Sequence, residues 1–297
     1  MSQSVINLSA EEAVPQPMEP DKQLYTQYSS VNGTVFRAMG STVPRMASGM
    51  YTYDADTRGI FARTIEINDA ELLRFPNTIA DVVINEFSSF WALKDEYSRR
   101  GEQHKRGFLL HGPPGGGKTS VITFIIREFI KNDGVVFYFN GVLIPGLRDF
   151  REIEPERKIL VLLEDIDSLL KTNLEAPLLQ FLDGSVKHIN TIVIATTNHL
   201  QELPSRLKHR PSRFDRVEFI DFPTIADRKI FIKAKSFTMS PIMKRQLLKD
   251  SKGFTFAHIK EMILSVEVYK LPYKKSLERI TAMSDALKKD AFGFESD

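Results

Sequence analysis

No cysteine occurs in the 297 residues, which rules out a disulfide framework and any thiolate zinc site, and which fits a reducing compartment. The six histidines are scattered and none falls in a His-Glu-x-x-His spacing, so that metalloprotease pattern is missing as well. Nor does any apolar run approach the length needed to span a bilayer, and the opening "MSQSVINLSAEEAVPQPMEPDKQ" has neither a basic leader nor an apolar signal core. These absences predict a soluble protein with a cytoplasmic location and no membrane partner. Charge of one sign is also lacking overall: the net charge is +2, too small to imply a polyanionic partner by itself.

What is present is unevenly distributed. Residues 1–30 hold Glu11, Glu12, Glu19 and Asp21 against Lys22, with Pro15, Pro17 and Pro20, and read as a disordered acidic tail. Residues 31–74 mix short β-prone pieces ("GTVFRAM", "GMYTYDA", "GIFARTIEI") with glycines and read as a small β-rich region. From about Phe75 helical and strand signals alternate. Ile79, Val82, Val83, Phe87, Phe90 and Trp91 recur at helical spacing, and four apolar runs follow: "GFLL", "VVFYF", "ILVLL" and "TIVIA". Short apolar runs separated by helix-length segments predict a parallel sheet with crossovers on its faces, an α/β architecture over residues 75–222. After Pro223 the strand signals stop, and residues 223–297 read as a smaller helical domain with a C-terminal tail. From Arg228 to Lys289 there are 15 Lys and Arg against 5 Asp and Glu; this surplus is a solvated helical face or, in the other reading, a nucleic-acid contact.

The run "FLLHGPPGGGKTS" turns from a buried strand into Gly112, Pro113, Pro114, Gly115, Gly116, Gly117, Lys118, Thr119 and Ser120, and a helical segment follows. Its spacing is G-x-x-x-x-G-K-[ST] in the strand-loop-helix context that motif requires. Glycines let backbone N–H groups converge on phosphate oxygens, Lys118 adds a cation, Thr119 offers a hydroxyl to Mg²⁺, and the helix N-terminus adds partial positive charge. Downstream, "ILVLLEDIDSLL" brings Glu164, Asp165 and Asp167 to the end of a buried strand, where α/β sheets bind ligands. The strand "TIVIATTN" ends on Asn198, an amide that can hold water or a phosphate oxygen without adding negative charge. "RPSRFDR" supplies Arg210 and Arg213; arginines there are a basic surface loop or a device for spreading phosphoryl charge, and the pattern alone does not choose.

Taken together these residues resemble an AAA+ ATPase of the AAA clade, over about Arg74 to Tyr269, with local wording ("PERKILVLLEDID", "LLQFLDG", "ATTNH") most similar to the Bcs1-like branch. "HGPPGGGKTS" resembles the Walker A of that clade, "LVLLEDIDSLL" its Walker B, "ATTN" its sensor 1, "LKHRPSRFDRVEF" its second region of homology, and "KGFTFAHIKEMI" the element that opens the later lid helices. The resemblance implies a P-loop NTPase sheet sandwiched by helices, a helical lid, and ATP hydrolysis with Mg²⁺. It implies that Lys118 and Thr119 meet phosphates and metal, that Glu164 and Asp165 are the acid pair, and that Asn198 is the sensor. It further implies that Ala257 is the small lid residue near the base, and that Arg210 and Arg213 act on a neighbouring subunit's nucleotide. Fingers acting in trans imply a homo-oligomeric ring, commonly a hexamer in this clade, that remodels a protein client.

Three features depart from the family pattern. The acid pair runs Glu164-Asp165 rather than Asp-Glu, which leaves open which of the two orients water. Where unfoldases carry an aromatic pore triplet, this chain has "NGVLIPGLRDF" with Leu147, which argues against peptide threading. Residues 1–74 contain no membrane-spanning segment of the kind Bcs1 carries, so the mitochondrial substrate role is not carried over. Two other functions stay open at this stage: an ATPase acting on nucleic acid, supported by the basic helical segment, and a nucleotide-gated scaffold with slow turnover.

Overall fold

Apolar runs that alternate toward two opposite cores must sit in the middle of a sheet with both faces covered. Strand β5 (Lys105–His111) shows this directly: Phe108 and Leu110 enter one buried cluster, and Leu109 enters the other. The computed structural model describes residues 27–292 apart from 32, 40–42, 58, 68–71, 77, 185–188, 209 and 211–212. The acidic tail expected at residues 1–30 lies outside the described residues as far as residue 26, but its last residues do not: strand β1 (Gln27–Val31) begins within it.

The other strands are β2 (Val35–Met39), β3 (Gly49–Asp56), β4 (Gly59–Thr64), β6 (Val135–Tyr138), β7 (Ile159–Leu163), β8 (Thr191–Thr197) and β9 (Arg216–Phe219), which with β1 and β5 make one nine-stranded sheet in the order β1-β2-β4-β3-β6-β7-β8-β5-β9. From β3 to β9 adjacent strands run parallel, as the four apolar runs predict. The sheet as a whole is mixed, because β1, β2 and β4 join antiparallel. The β-rich N-terminal region therefore continues the central sheet instead of forming one of its own: Gly49 to Thr52 of β3 pair with Val135 to Tyr138 of β6, covering an edge that would otherwise present unpaired backbone groups. Side chains tie the join. Glu154 Oε1 accepts from the Met46 N–H at 2.8 Å, Arg157 Nη2 donates to Ser48 Oγ at 3.0 Å, and Asn140 Nδ2 donates to Thr52 Oγ1 at 3.0 Å.

Helices α1 (Ile79–Ala92), α2 (Lys94–Arg99) and α3 (Lys118–Lys131) lie on one side of the sheet, and Phe87, Phe90, Ile125 and Phe129 interleave there with Phe108, Leu110 and Ile194. Helix α4 (Leu143–Ile153), the short α5 (Ile166–Leu169) and α6 (Glu175–Leu182) cover the other side, with Leu143, Leu147 and Phe150 against Tyr53, Phe137 and Val161. Leu147 thus sits in a helix and in the core rather than at a loop tip, and it is 2% exposed. A short α7 (Ser205–Lys208) precedes β9.

Beyond Pro223 come α8 (Ile225–Lys235), α9 (Pro241–Asp250), α10 (Phe256–Glu267) and α11 (Tyr273–Phe292). Their starts are written in the sequence: Thr224 caps α8 in a reciprocal box with Asp227, Ser240 caps α9 with proline at its first position, and the Thr255 hydroxyl accepts from the His258 N–H to open α10. These helices share a third core of Phe231, Ile232, Leu247, Ile259, Met262 and Ile280, to which Leu73 and Phe75 from the chain before α1 also contribute.

Candidate functional site

Three loops at the C-terminal ends of parallel strands, with α8 and α10 facing them, enclose a cavity of about 590 Å³. From the glycine loop it is lined by Pro114, Gly115, Gly117, Lys118, Thr119 and Ser120; from the end of β7 by Glu164 and Asp165; from the end of β8 by Thr196 and Asn198; and from the helical segment by Ala257. Gly112, Pro113 and Gly116 do not line this cavity but shape the turn beneath it. A Cβ on Gly112, whose φ is +154°, would fall 2.1 Å from the Ile220 carbonyl oxygen, and one on Gly115, at φ +73°, would fall 2.6 Å from the Ala257 Cβ. Both positions exclude a side chain, the first by Ile220 just past β9 and the second by α10.

Lys118 opens α3 and is buried, its ammonium donating to the Gly112 and Pro113 carbonyls at 2.7 and 3.0 Å. Burial pushes its pKa down to about 8, against the opposing pull of Asp165 and Asp167. Burial and the neighbouring Asp165 raise the Glu164 carboxyl above the ordinary range. Asp165 holds a left-handed backbone (φ 47°, ψ 56°), a conformation that aspartate tolerates better than most residues. Its N–H donates to Thr196 Oγ1 at 3.0 Å, and its Oδ1 accepts from Asn198 Nδ2 at 3.3 Å. The next turn is held the same way: buried Asp167 accepts from Thr197 Oγ1 at 2.7 Å, and that hydroxyl accepts from the His199 N–H at 3.0 Å. Asp165 and the Asn198 amide, 33 residues apart in the chain, are thereby bonded directly, while two β8 hydroxyls hold the acid loop beside them.

Arg210 and Arg213 are placed differently. Neither lines the cavity. Arg213 is 4% exposed, and its Nε and Nη2 donate to the two oxygens of Asp183 at 2.7 and 2.6 Å while Nη1 donates to the Arg206 carbonyl. The bond from Arg213 holds the Asp183 carboxyl below the usual range. Arg210 meets the same carboxylate through Nη1 at 3.2 Å, with a side chain 55% exposed.

Several lining residues were not singled out in the sequence. Thr196, which lines the cavity, and Thr197, which does not but bonds Asp167, are legible only as the last residues of a strand, although a pair of threonines before Asn198 puts a hydroxyl on each face of β8. Lys235 and Lys260 also line the cavity, as do Leu73, Phe75, Phe231 and Phe256. A second, mainly apolar cavity of about 480 Å³ adjoins it, sharing Phe75, Gly117, Ser120 and Phe256 and extending past Ile79, Val121 and Phe222. The rings of Phe75 and Phe256 stack between the two, with centroids 4.7 Å apart.

Comparison with known proteins fits this geometry. The family described as "ATPase family associated with various cellular activities (AAA)" matches residues 108–222, the span from β5 to just past β9. The chain carries an AAA ATPase domain. The AAA match is accompanied by relatives of two kinds. An ATP-dependent zinc metalloprotease FtsH of Aster yellows witches'-broom phytoplasma is 28% identical over 254 residues, covering 75% of this chain and 37% of that protein. The mitochondrial chaperone BCS1 of Homo sapiens is 31% identical over 161 residues, covering 48% of this chain and 38% of that protein. A second FtsH, from Mycoplasma mobile, is 29% identical over 191 residues, covering 57% of this chain and 27% of that protein. The chain thus spans well under half the length of these AAA relatives, and its likeness extends beyond the Bcs1-like branch.

One expectation is overturned. Absence of a leader and of an apolar span suggested the cytoplasm, but a relative as similar as any above is a mitochondrial chaperone, so those features do not fix the compartment. Among the described residues no helix is long and apolar enough to cross a membrane.

Proposed function

We propose that this AAA protein hydrolyses ATP within a homo-oligomeric ring and uses the turnover to remodel a protein client. One observation carries the reading: a single cavity gathers Lys118, Thr119, Glu164, Asp165 and Asn198 from loops far apart in sequence. In this reading Gly112 to Ser120 cradle the phosphates, and the adjoining apolar cavity beside Phe75 and Phe256 takes the base, with Ala257 at its margin. The cavity also suits Mg²⁺. Thr119 and Glu164 would hold the ion together with phosphate oxygens, a donor set of hard oxygens, and the ion would supply charge neutralisation at the phosphoryl group. Asp165, bonded to Asn198, orients the attacking water. The water oxygen forms the new bond to the γ-phosphorus, the bond to the bridging oxygen of the departing ADP breaks, and the proton leaves through the Asp165 carboxylate to solvent.

Arg210 is the residue we assign to a neighbouring subunit's nucleotide, because it is half-exposed and outside its own cavity. Arg213 serves that role through its loop, anchored on Asp183, unless assembly releases it. The FtsH and BCS1 relatives, by name an ATP-dependent protease and a chaperone, support a protein client. The zinc chemistry in the first name does not transfer, since this sequence has no His-Glu-x-x-His and no cluster of three metal-binding side chains is found among the described residues.

The test is ADP release by the purified chain, with particle mass measured with and without ATP. Turnover together with ATP-dependent assembly supports the reading; a monomer with ATP bound removes the ring, and no ADP release removes the ATPase.

A further inference from the structure

Most of the basic surplus of the helical segment lies outside the nucleotide cavity, and nearby carboxylates do little to cancel it. Asp250 accepts from the Gln246 amide and the Tyr273 hydroxyl. Glu267 accepts from Ser236 Oγ at 2.7 Å and from the N–H groups of Phe237, Thr238 and Met239 at 3.0, 2.8 and 2.8 Å. Those four bonds, all from neutral donors, pin the connection between α8 and α9 against the end of α10. At the tip so formed two aromatic residues face solvent: Phe237 is 82% exposed and Tyr269 67%. We propose that this tip is a binding surface for single-stranded nucleic acid, with Phe237 and Tyr269 stacking on bases and Lys244, Arg245 and Lys270 meeting phosphates.

Aromatic residue and cation come in pairs here. Lys244 Nζ donates to the Ser236 carbonyl at 2.7 Å, which brings its ammonium to the residue before Phe237, and Lys270 directly follows Tyr269. Arg245 Nε donates to the Pro241 carbonyl at 3.3 Å, in the first turn of α9. Carbonyl partners hold Lys244 and Arg245 without cancelling their charge, and no carboxylate pairs with these two or with Lys270 among the described residues. Ile242 and Val268, also exposed, add apolar surface that the face of a base can cover. A single strand presents the matching pair in every nucleotide, one flat base free to stack and one negative charge. A duplex hides its bases, and an acidic peptide offers charge without a ring to accompany it. The backbone beneath Phe237 is already ordered by Glu267, so stacking there costs little conformational entropy. None of these residues lines the nucleotide cavity, so the inference stands apart from the ATP reading.

The experiment follows the fluorescence anisotropy of a labelled oligothymidine or oligouridine of about twenty nucleotides with the full chain, in the absence of ATP and at rising salt. We expect binding at low salt that weakens steeply as salt is added. Phe237→Ala and Tyr269→Ala should each weaken it roughly tenfold at an unchanged salt slope, and Phe237→Trp should keep it. Lys270→Ala and Arg245→Ala should each reduce the salt slope by about 0.7. The thermal midpoint should not move in these variants, because the altered side chains are exposed. Either oligomer bound with these effects supports the proposal, and the tighter of the two names the source. No binding at low salt overturns it, as does binding that ignores both ring removals, which would be charge attraction alone. A polyglutamate peptide or a duplex bound as tightly as the single strand overturns it too, the first in favour of an acidic protein partner and the second in favour of phosphate backbone of any form.

Discussion

The cavity and the arginine loop carry comparable charge, yet they are partnered in opposite ways. In the cavity Lys118 donates to two backbone carbonyls and Asp165 is held by an amide, while Asp167 just behind it is held by a hydroxyl. Neutral partners position these charges without cancelling them. In the arginine loop Arg213 and Arg210 converge on one carboxylate, Asp183, which cancels charge inside the chain. The first arrangement leaves a field for a ligand to answer. The second makes a strut from which Arg210 still faces outward.

The largest effect expected from that difference is at Lys118. Lys118→Ala should reduce ATP affinity and turnover by at least about two orders of magnitude, measured by titration and ADP release, with little change in thermal midpoint because the lysine's partners are solvent-compatible carbonyls near a cavity. Next come the arginines, where the contrast can be broken. Arg210→Ala should lower turnover of the assembled protein by about two to three orders of magnitude with an unchanged midpoint, since a half-exposed ion pair adds little stability. Arg213→Ala should instead leave Asp183 without its bidentate partner and lower stability by about 1–3 kcal/mol, seen as a fall in the denaturant midpoint at constant slope. If the two variants behave alike, the loop is not divided into strut and finger.

This contrast also marks what could be read from the chain alone. The Gly112–Ser120 turn and the acids after β7 were legible because each feature is local: strand, turn and helix follow one another in sequence, and the chemistry sits at the junction. The apolar runs of β5 to β8 were legible for the same reason. The N-terminal strands were visible as strands, but their pairing with β6 was not, since Gly49 meets Val135 at a separation of 86 positions and nothing in a β-prone run specifies which edge it will cover. Arg213 was read as a reaching side chain because Asp183 lies 30 residues upstream, in another element. Lys260 went unremarked because a lysine on a basic helix looks like solvated surface until the helix is seen to rest on the glycine loop.

A smaller effect should separate positioning from binding through residues just behind the cavity wall. Thr197→Val removes the hydroxyl that joins Asp167 to the His199 N–H while keeping the β-branched shape that the buried strand requires. The acid loop then loses one of its two ties to β8, with the Thr196 to Asp165 bond intact. We expect kcat to fall about tenfold with nearly unchanged ATP affinity, because phosphate contacts from Lys118 and the glycine loop are not touched. An equal fall in affinity would mean that the tie shapes the whole cavity.

The smallest effect is in pH, and its sign follows from the burial of Lys118. Its pKa in the ligand-free protein is pushed down to about 8, so above that pH a growing share of the protein presents a neutral amine to the phosphates. Binding an anion beside the amine favours the protonated form, so the bound protein keeps its charge at a pH where the free protein has lost it. ATP affinity should therefore decline a few-fold between about pH 7.5 and pH 9 while kcat at saturating ATP stays nearly flat. A decline in kcat rather than in affinity would place the titrating group in the chemical step, and would mean that the buried lysine is not what the phosphates meet.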